Sequence, residues 1–280
     1  MAFPYIKGST QVLAHIGYPT HSFKAPMIYN PYFEQAGIDA VVVPMGVKAE
    51  HYATFLPTIF MAENVAGALI TMPHKVTTVA LLDEASPTVK VAGACNAVKR
   101  VNGKLIGDMF DGEGFVRGVM RRGLVLQGAS CLVVGCGGVG CAIAGSLAKA
   151  GIARMALFDV DTESSVGLAV RLRENYPALH VETQSNDPVG FDLVVNATPL
   201  GMEKGDPLPM DVNRIAPSTF VGEVVMKSEM TAFLQAAKDR GCRVQVGADM
   251  LYEQIPAYLE FFGFATTTAA NLRAVAKLQY

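Results

Sequence analysis

Long apolar runs are missing from this sequence, and that absence removes a first class of functions. No stretch reaches the ~18 consecutive apolar residues that a membrane-spanning helix needs. Charge is sparse, at 17% of residues, and the net charge of −2 provides no general attraction to nucleic acid. Cysteine is sparse as well: Cys95, Cys131, Cys136, Cys141 and Cys242 form no pairing pattern. Neither Cys136 nor Cys141 stands at metal-ligand spacing from a histidine, so small buried thiols are expected, with no disulfide and no metal. The opening residues, Met-Ala-Phe-Pro-Tyr-Ile-Lys, lack the basic region and apolar core of a secretion signal, and a cytoplasmic location is expected. Internal repeats and low-complexity linkers are absent too.

What remains is a chain of 280 residues, 51% hydrophobic, long enough for two domains with sizeable cores. Its most informative stretch is Cys-Leu-Val-Val-Gly-Cys-Gly-Gly-Val-Gly at 131–140. It reads as a short buried strand running into a glycine-rich turn, followed by an apolar helix from Val139 to Ala150. Gly135, Gly137 and Gly140 fall on the G-x-G-x-x-G spacing. The first glycine makes the tight turn, the second lets the backbone approach a pyrophosphate, and the third packs helix against strand. A second apolar strand, Met155 to Phe158, ends in Asp159, where a carboxylate would meet the adenosine ribose. The alternative is a tight strand-to-helix turn that binds nothing.

From Ala129 to Gly247 strands are predicted at 131–134, 155–158, 178–182, 192–196, 219–225 and 243–246. Helices are predicted at 139–150, 162–175 and 229–240. Such alternation means a parallel sheet covered on both faces. Asp161-Thr162-Glu163 opens the second helix with capping residues, while Gly151 and Gly241 follow the ends of the first and third. The first 110 residues alternate likewise without a phosphate loop. Strands are predicted at 12–16, 40–44 and 67–71, and helices from Pro26, from about Ala49 to Met61 and from Lys75. A hairpin over Asn96 to Lys104 turns at Asn102-Gly103. A joining helix is expected near Asp111 to Gly123. The tail, Met250 to Gln279, is strongly helical and should pack back on the first half.

Three polar residues at strand ends stand out. Lys75 follows Ile70-Thr71-Met72-Pro73-His74, where a strand gives way to a helix, and a partly desolvated lysine there can exchange protons. Asp111 lies where the chain leaves the first domain, and Asn96 sits in Ala92-Gly93-Ala94-Cys95-Asn96. Equally open are a surface lysine, a helix-capping aspartate and a turn asparagine. His74 is read as a cap of the helix that begins beside it.

Taken together, these segments resemble the shikimate dehydrogenase family, including its quinate/shikimate branch, nearly end to end. The resemblance rests on Gly17-Tyr18-Pro19 with Pro26, Thr71-Met72-Pro73-His74-Lys75, Ala92-Gly93-Ala94-Cys95-Asn96 and Gly107-Asp108 with Asp111-Gly112. It continues through the glycine loop, Asn196-Ala197-Thr198-Pro199-Leu200-Gly201-Met202, and Gly247-Ala248-Asp249-Met250-Leu251 with Gln254. It implies an α/β chain of two domains: a substrate-binding catalytic domain (1–112), a Rossmann dinucleotide-binding domain (113–247), and C-terminal helices (248–280) returning to the first. It also implies hydride transfer between a nicotinamide cofactor and a ring hydroxyl of shikimate or a related cyclic hydroxy acid. Lys75 would then transfer the proton with Asp111 beside it, and Ser22, Thr71, Asn96 and Gln254 would bind substrate. Gly135, Gly137, Gly138, Val139, Gly140, Asp159, Asn196, Ala197, Thr198, Met202, Val224 and Gly247 would hold the cofactor. A homodimer is compatible with the resemblance; nucleic acid and membrane are not expected partners.

Departures from the family pattern gather at one end of the substrate site. Phe23 and Ala25 stand where two serines usually hold a carboxylate, and Met226 replaces a tyrosine that also meets it. Leu69 and Phe110 replace an asparagine and a threonine. The reacting end is kept while the recognition end turns apolar, so quinate, an amino-substituted analogue or another cyclic substrate is the alternative. A weakly catalytic nucleotide-binding sensor is a further one. Asp159-Val160-Asp161 in place of an Asn-Arg-Thr/Ser run favours NAD over NADP, since the carboxylate would repel a 2′-phosphate.

Overall fold

The alternation read from the sequence builds two α/β units in the computed structural model, which describes residues 6–278 other than 22, 204, 227 and 229. The first unit takes the residues up to Val89, Gly93–Phe110 and those from Ile255 onward. The second takes Lys90–Ala92 and Asp111–Gln254.

The first unit carries β1 (Gln11–Gly17), α1 (Pro26–Ala36), β2 (Ala40–Gly46), α2 (Ala49–Ile59), β3 (Val65–Ile70) and α3 (Lys75–Val79). It continues with β4 (Glu84–Ala85), the start of α4 (Pro87–Ala92), β5 (Ala97–Val101) and β6 (Lys104–Asp108). The sheet order is β2-β1-β3-β5-β6-β4. β1, β2 and β3 are parallel, whereas β5 runs antiparallel to both β3 and β6. Leu13, Ala14 and Ile16 of β1, flanked by β2 and β3, are fully buried, as a strand covered on both faces requires. The β5–β6 hairpin turns at Asn102 (φ 50°) and Gly103 (φ 83°), the left-handed pair that matches the twist of the flanking strands.

The second unit carries α5 (Asp111–Arg121), β7 (Ser130–Val134), α6 (Gly138–Lys149), β8 (Arg154–Phe158), α7 (Thr162–Asn175), β9 (His180–Thr183) and β10 (Leu193–Asn196). It ends with β11 (Phe220–Glu223), α8 (Ala232–Asp239), β12 (Arg243–Gln245) and the start of α9 (Gly247–Phe262). All its strands are parallel, in the order β12-β11-β10-β7-β8-β9. That is the doubly wound arrangement, and its strand order reverses between β7 and β10, where such sheets take ligands. Phe115 of α5 is fully buried and sits against Gly222 of β11. Any side chain at Gly222 would meet that ring, and burial of the ring contributes about 2–3 kcal/mol.

The chain from Ile255 returns to the first unit. The Tyr32 hydroxyl donates to the Ala265 carbonyl at 2.7 Å, the N–H of Lys277 donates to Met27 O at 2.8 Å, and Phe33 meets Phe264 with ring centroids 5.3 Å apart. The tail is not one helix. Gly263, at φ 80°, ends α9, and α10 (Ala269–Val275) starts afresh at Thr268, whose hydroxyl accepts the N–H of Asn271. The expected helix at 229–240 opens only at Ala232, because Thr231 is extended and caps it by accepting the N–H of Leu234 at 3.2 Å. β4, α4 and a 3-10 turn at Val212–Arg214 are too short to leave a periodic signal in the sequence.

Candidate functional site

In the second unit the glycine loop joins β7 to α6. Gly135 sits at φ 101°, and a Cβ there would lie 2.7 Å from the carbonyl carbon of Ala197, so β7 and β10 end in closely packed loops. Gly140 likewise touches the Gly135 carbonyl, leaving no room for a side chain. Gly137 and Gly138 differ: a Cβ on either would meet nothing within 4 Å. Both are exposed at the start of α6, where no side chain caps the helix and Val139 is half-buried. Backbone N–H groups at an open, uncapped helix start fit the pyrophosphate of a dinucleotide. Asp159 closes this end, with Oδ2 accepting the N–H of Cys136 at 2.6 Å and Oδ1 that of Asp161 at 2.9 Å. Arg154 opens β8, which begins one residue before the expected Met155, and pairs with Glu182 at 2.8 Å over the Phe191 ring.

The Asn196–Met202 segment has a role that its motif did not disclose. Asn196 is fully buried; its Oδ1 accepts the hydroxyl of Thr198 at 2.6 Å and the Thr198 N–H at 3.1 Å, while Nδ2 donates to Leu200 O at 3.0 Å. Asn196 and Thr198 therefore shape the loop, Asn196 from within and Thr198 half-buried beside it. Ala197 lines the floor under Gly135, Met202 is 45% exposed, and the Val224 N–H donates to Asn196 O at 3.2 Å. Gly247 packs on the backbone of Val224 and Val225 so closely that no side chain fits.

Glu223, at the end of β11, escaped the sequence reading. It is fully buried, accepts the Thr231 hydroxyl at 2.9 Å, and has one oxygen without a hydrogen-bond partner. Burial pushes its carboxyl above the ordinary range, against the pull of Thr231 and Asn196. A lone glutamate behind a strand carries no periodic or motif signal, so only packing reveals it.

In the first unit, Lys75 is the first residue of α3 and half-buried, with its carbonyl accepting the N–H of Cys95 at 2.9 Å. Thr71 is half-buried at the end of β3, its N–H bonded to Ile16 O at 2.9 Å. Asn96 is buried, and its Oδ1 accepts the N–H of Phe110 at 2.9 Å. His74 does not cap α3 with its side chain. Its ring is buried, stacks on Tyr52 at 3.9 Å, and places Nε2 2.7 Å from the Val47 carbonyl, pinning the loop after β2. Phe23 stacks on His15 of β1 with centroids 4.1 Å apart. Its Cζ also lies 2.9 Å from where a Cβ on Gly17 would be, beside Thr71. Ala25 is half-buried ahead of α1 and provides no side-chain cap. Leu69 is buried in β3, and Phe110 packs inward on Tyr258 and Phe261 at 4.9 and 5.4 Å. Ser22 lies outside the described residues.

Returning to the second unit, Asp111 is buried as the first residue of α5. Gln254 is half-buried on α9, close against Gly114, with its Oε1 buried and lacking a partner. Met226 is 57% exposed. All five cysteines are free and buried, and desolvation raises Cys95 and Cys136 to about 12. Among the described residues no cluster of His, Cys, Asp or Glu could hold a metal, and no helix is long and apolar enough to cross a membrane.

A doubly wound sheet with an open glycine loop, joined to a mixed-sheet unit carrying a half-buried lysine, defines a nicotinamide-dependent oxidoreductase. The comparisons agree. Residues 15–98 match the shikimate dehydrogenase substrate binding domain, and residues 121–166, which span the glycine loop, match the ThiF family. A shikimate dehydrogenase (NADP(+)) of Desulforamulus reducens is 33% identical over 270 residues, 92% of each chain. Ligand-free 5-ketofructose reductase of Gluconobacter sp. strain CHM43 is 26% identical with a TM-score of 0.87, covering 96% of this chain and 98% of its own. Quinate dehydrogenase from Corynebacterium glutamicum, in complex with NAD, is 27% identical with a TM-score of 0.81, over 95% of this chain and 98% of its own. This chain belongs to the shikimate dehydrogenase family, and is an oxidoreductase of that kind acting on a small molecule.

Proposed function

We propose that this chain transfers a hydride between NAD, in preference to NADP, and a hydroxyl-bearing carbon of a polyhydroxylated substrate that has no carboxylate at the recognition end. The roles follow the family resemblance: Lys75 takes the hydroxyl proton in oxidation and returns it in reduction, with Asp111 balancing its charge. Thr71, Asn96 and Gln254 bind hydroxyls, and the unpartnered Oε1 of Gln254 supports that reading. The bound nicotinamide supplies C4 as the hydride acceptor or donor.

One observation carries the substrate class. Where the family places a carboxylate-holding serine, Phe23 lays its ring on the buried, neutral His15 at 4.1 Å. Ala25 offers no hydroxyl either. A carboxylate placed there would lose hydrogen bonds worth roughly 1.5–3 kcal/mol each. The structural likeness to a 5-ketofructose reductase, named for an uncharged sugar ketone, supports this reading. The NAD preference rests on Asp159, followed in the chain by Val160 and Asp161 rather than by an arginine, and the quinate dehydrogenase holds NAD. Free, buried thiols suit a cytoplasmic location.

The test is a panel of shikimate, quinate, 5-keto-D-fructose and related ketoses, followed by nicotinamide absorbance with each cofactor. The ketose class should be reduced with NADH, and shikimate should show a KM at least ~100-fold higher. Phe23→Ser, Ala25→Ser and Met226→Tyr combined should improve shikimate mainly in KM, because such groups bind ground and transition states alike. A native micromolar KM for shikimate overturns the proposal.

A further inference from the structure

His15 belongs to no motif of the family resemblance, yet it is the least ordinary side chain of the first unit. It lies in the interior strand β1, paired with Pro44 and Leu69 on the flanking strands, where an aliphatic residue would be expected. The residue is 9% exposed, and its Nδ1 is buried without a hydrogen-bond partner. A polar group left in this state costs stability, so a strand whose buried positions are otherwise apolar gains nothing by carrying it. Burial first, and the Lys75 ammonium second, hold its pKa down at about 4, which keeps the ring neutral and places it within the electrostatic reach of Lys75. The Phe23 ring lies over one face of the imidazole, at 30° between the planes. A face-on stack leaves the edge of the imidazole uncovered by Phe23, and there Nε2, unlike the buried Nδ1, is the nitrogen open to a ligand.

We propose that His15 is a substrate-binding residue that determines specificity, its neutral ring, seated by Phe23 near Lys75, exchanging a hydrogen bond with an uncharged hydroxyl of the substrate. The chemistry is matched. Neutral imidazole has one donor and one acceptor nitrogen, the bond made at one of them sets the tautomer, and an alcohol can both donate and accept. A carboxylate accepts only, and a neutral ring offers it no compensating charge. This inference rests on the uncharged-substrate reading above and names the group that performs the selection.

Its test uses the full-length protein with NADH and the best ketose of the panel, in wild type, His15→Val and His15→Gln. His15→Val should raise the substrate KM about 10-fold while kcat and the KM for NADH stay within ~2-fold. His15→Gln, which keeps a donor and an acceptor, should recover part of the loss. Wild type should also discriminate about 10-fold against a deoxy analogue lacking the recognised hydroxyl, and His15→Val should not discriminate. A packing role would instead lower Tm and kcat alike, leave the discrimination in place, and overturn the proposal. Should the variants not fold, wild type alone decides, since a deoxy series with no analogue penalised overturns it too. Should shikimate prove to be the good substrate, the substrate reading fails separately. The same comparison is then made with shikimate, and an unchanged KM in His15→Val overturns the role of His15.

Discussion

Asp159 Oδ2 accepts the backbone N–H of Cys136 at 2.6 Å, tying the end of β8 to the glycine loop that follows β7. The carboxylate is thereby held at the loop with capacity left, since its two oxygens together accept about four hydrogen bonds. Ribose hydroxyls can use that capacity, whereas a 2′-phosphate would meet a fixed negative charge with Val160 and Asp161 beside it.

kcat/KM should accordingly be at least ~10-fold higher with NAD than with NADP. Asp159→Ser should narrow the ratio mainly by improving NADP. Equal efficiency with both cofactors in the native protein would contradict this role for Asp159, and is a direct question because the Desulforamulus relative is named for NADP(+).

Lys75→Ala should lower kcat at least ~100-fold on any true substrate, the scale of lost general acid–base catalysis, with the Kd for NAD unchanged. Fluorescence titration and steady-state rates separate the two quantities. His74 is no substitute proton carrier, because its ring is buried between Tyr52 and the Val47 carbonyl. A variant keeping most of its activity would remove Lys75 from the chemistry.

The glycines of the loop should divide into two kinds. Gly135→Ala forces a side chain onto a φ of 101° and into the Ala197 carbonyl, and should cost about 2 kcal/mol of stability along with NAD binding. Gly137→Ala, at φ −72° with no protein atom within 4 Å, should leave Tm nearly unchanged yet weaken NAD at least ~10-fold, because the Cβ enters the cofactor's space. Thermal melts with and without NAD distinguish the cases. Unaltered binding by Gly137→Ala would show that the pyrophosphate lies elsewhere.

Glu223 should make the protein less stable as pH rises. Its carboxyl is raised in the folded state by burial, so the folded protein holds a proton that the unfolded chain releases from about pH 4.5 upward. The stabilisation is complete below that value and is lost as pH climbs through the raised folded pKa. Glu223→Gln keeps an acceptor for Thr231 and removes the charge. It should raise Tm at pH 8 and flatten the slope of Tm against pH above 5. A variant less stable than the native chain at pH 8 would mean that the charged form is the one the fold favours.

The glycine loop, the Asn102-Gly103 hairpin and the alternation of strands and helices were legible because each depends on residues adjacent in the chain. Gly135 announces a left-handed turn by its identity, and a period of apolar residues announces the face of a helix. The family motifs brought Lys75, Asp111, Asn96 and Gln254 forward as candidates by the same local means.

What only the tertiary structure decided depends on partners far apart in sequence. The motif could mark Asn196, but only the folded loop shows its amide bonded to Thr198 and Leu200. The position of His74 before α3 suits a cap, but packing places its ring on Tyr52 and against the Val47 carbonyl. The antiparallel placement of β5 beside β3, the break of the tail at Gly263 and the buried Glu223 have the same origin. By itself, the sequence determined which local elements form and which reaction they are equipped for. The tertiary structure decided what each buried polar group faces, because the cost of burying it depends on neighbours that arrive from other strands, as Phe23 arrives at His15.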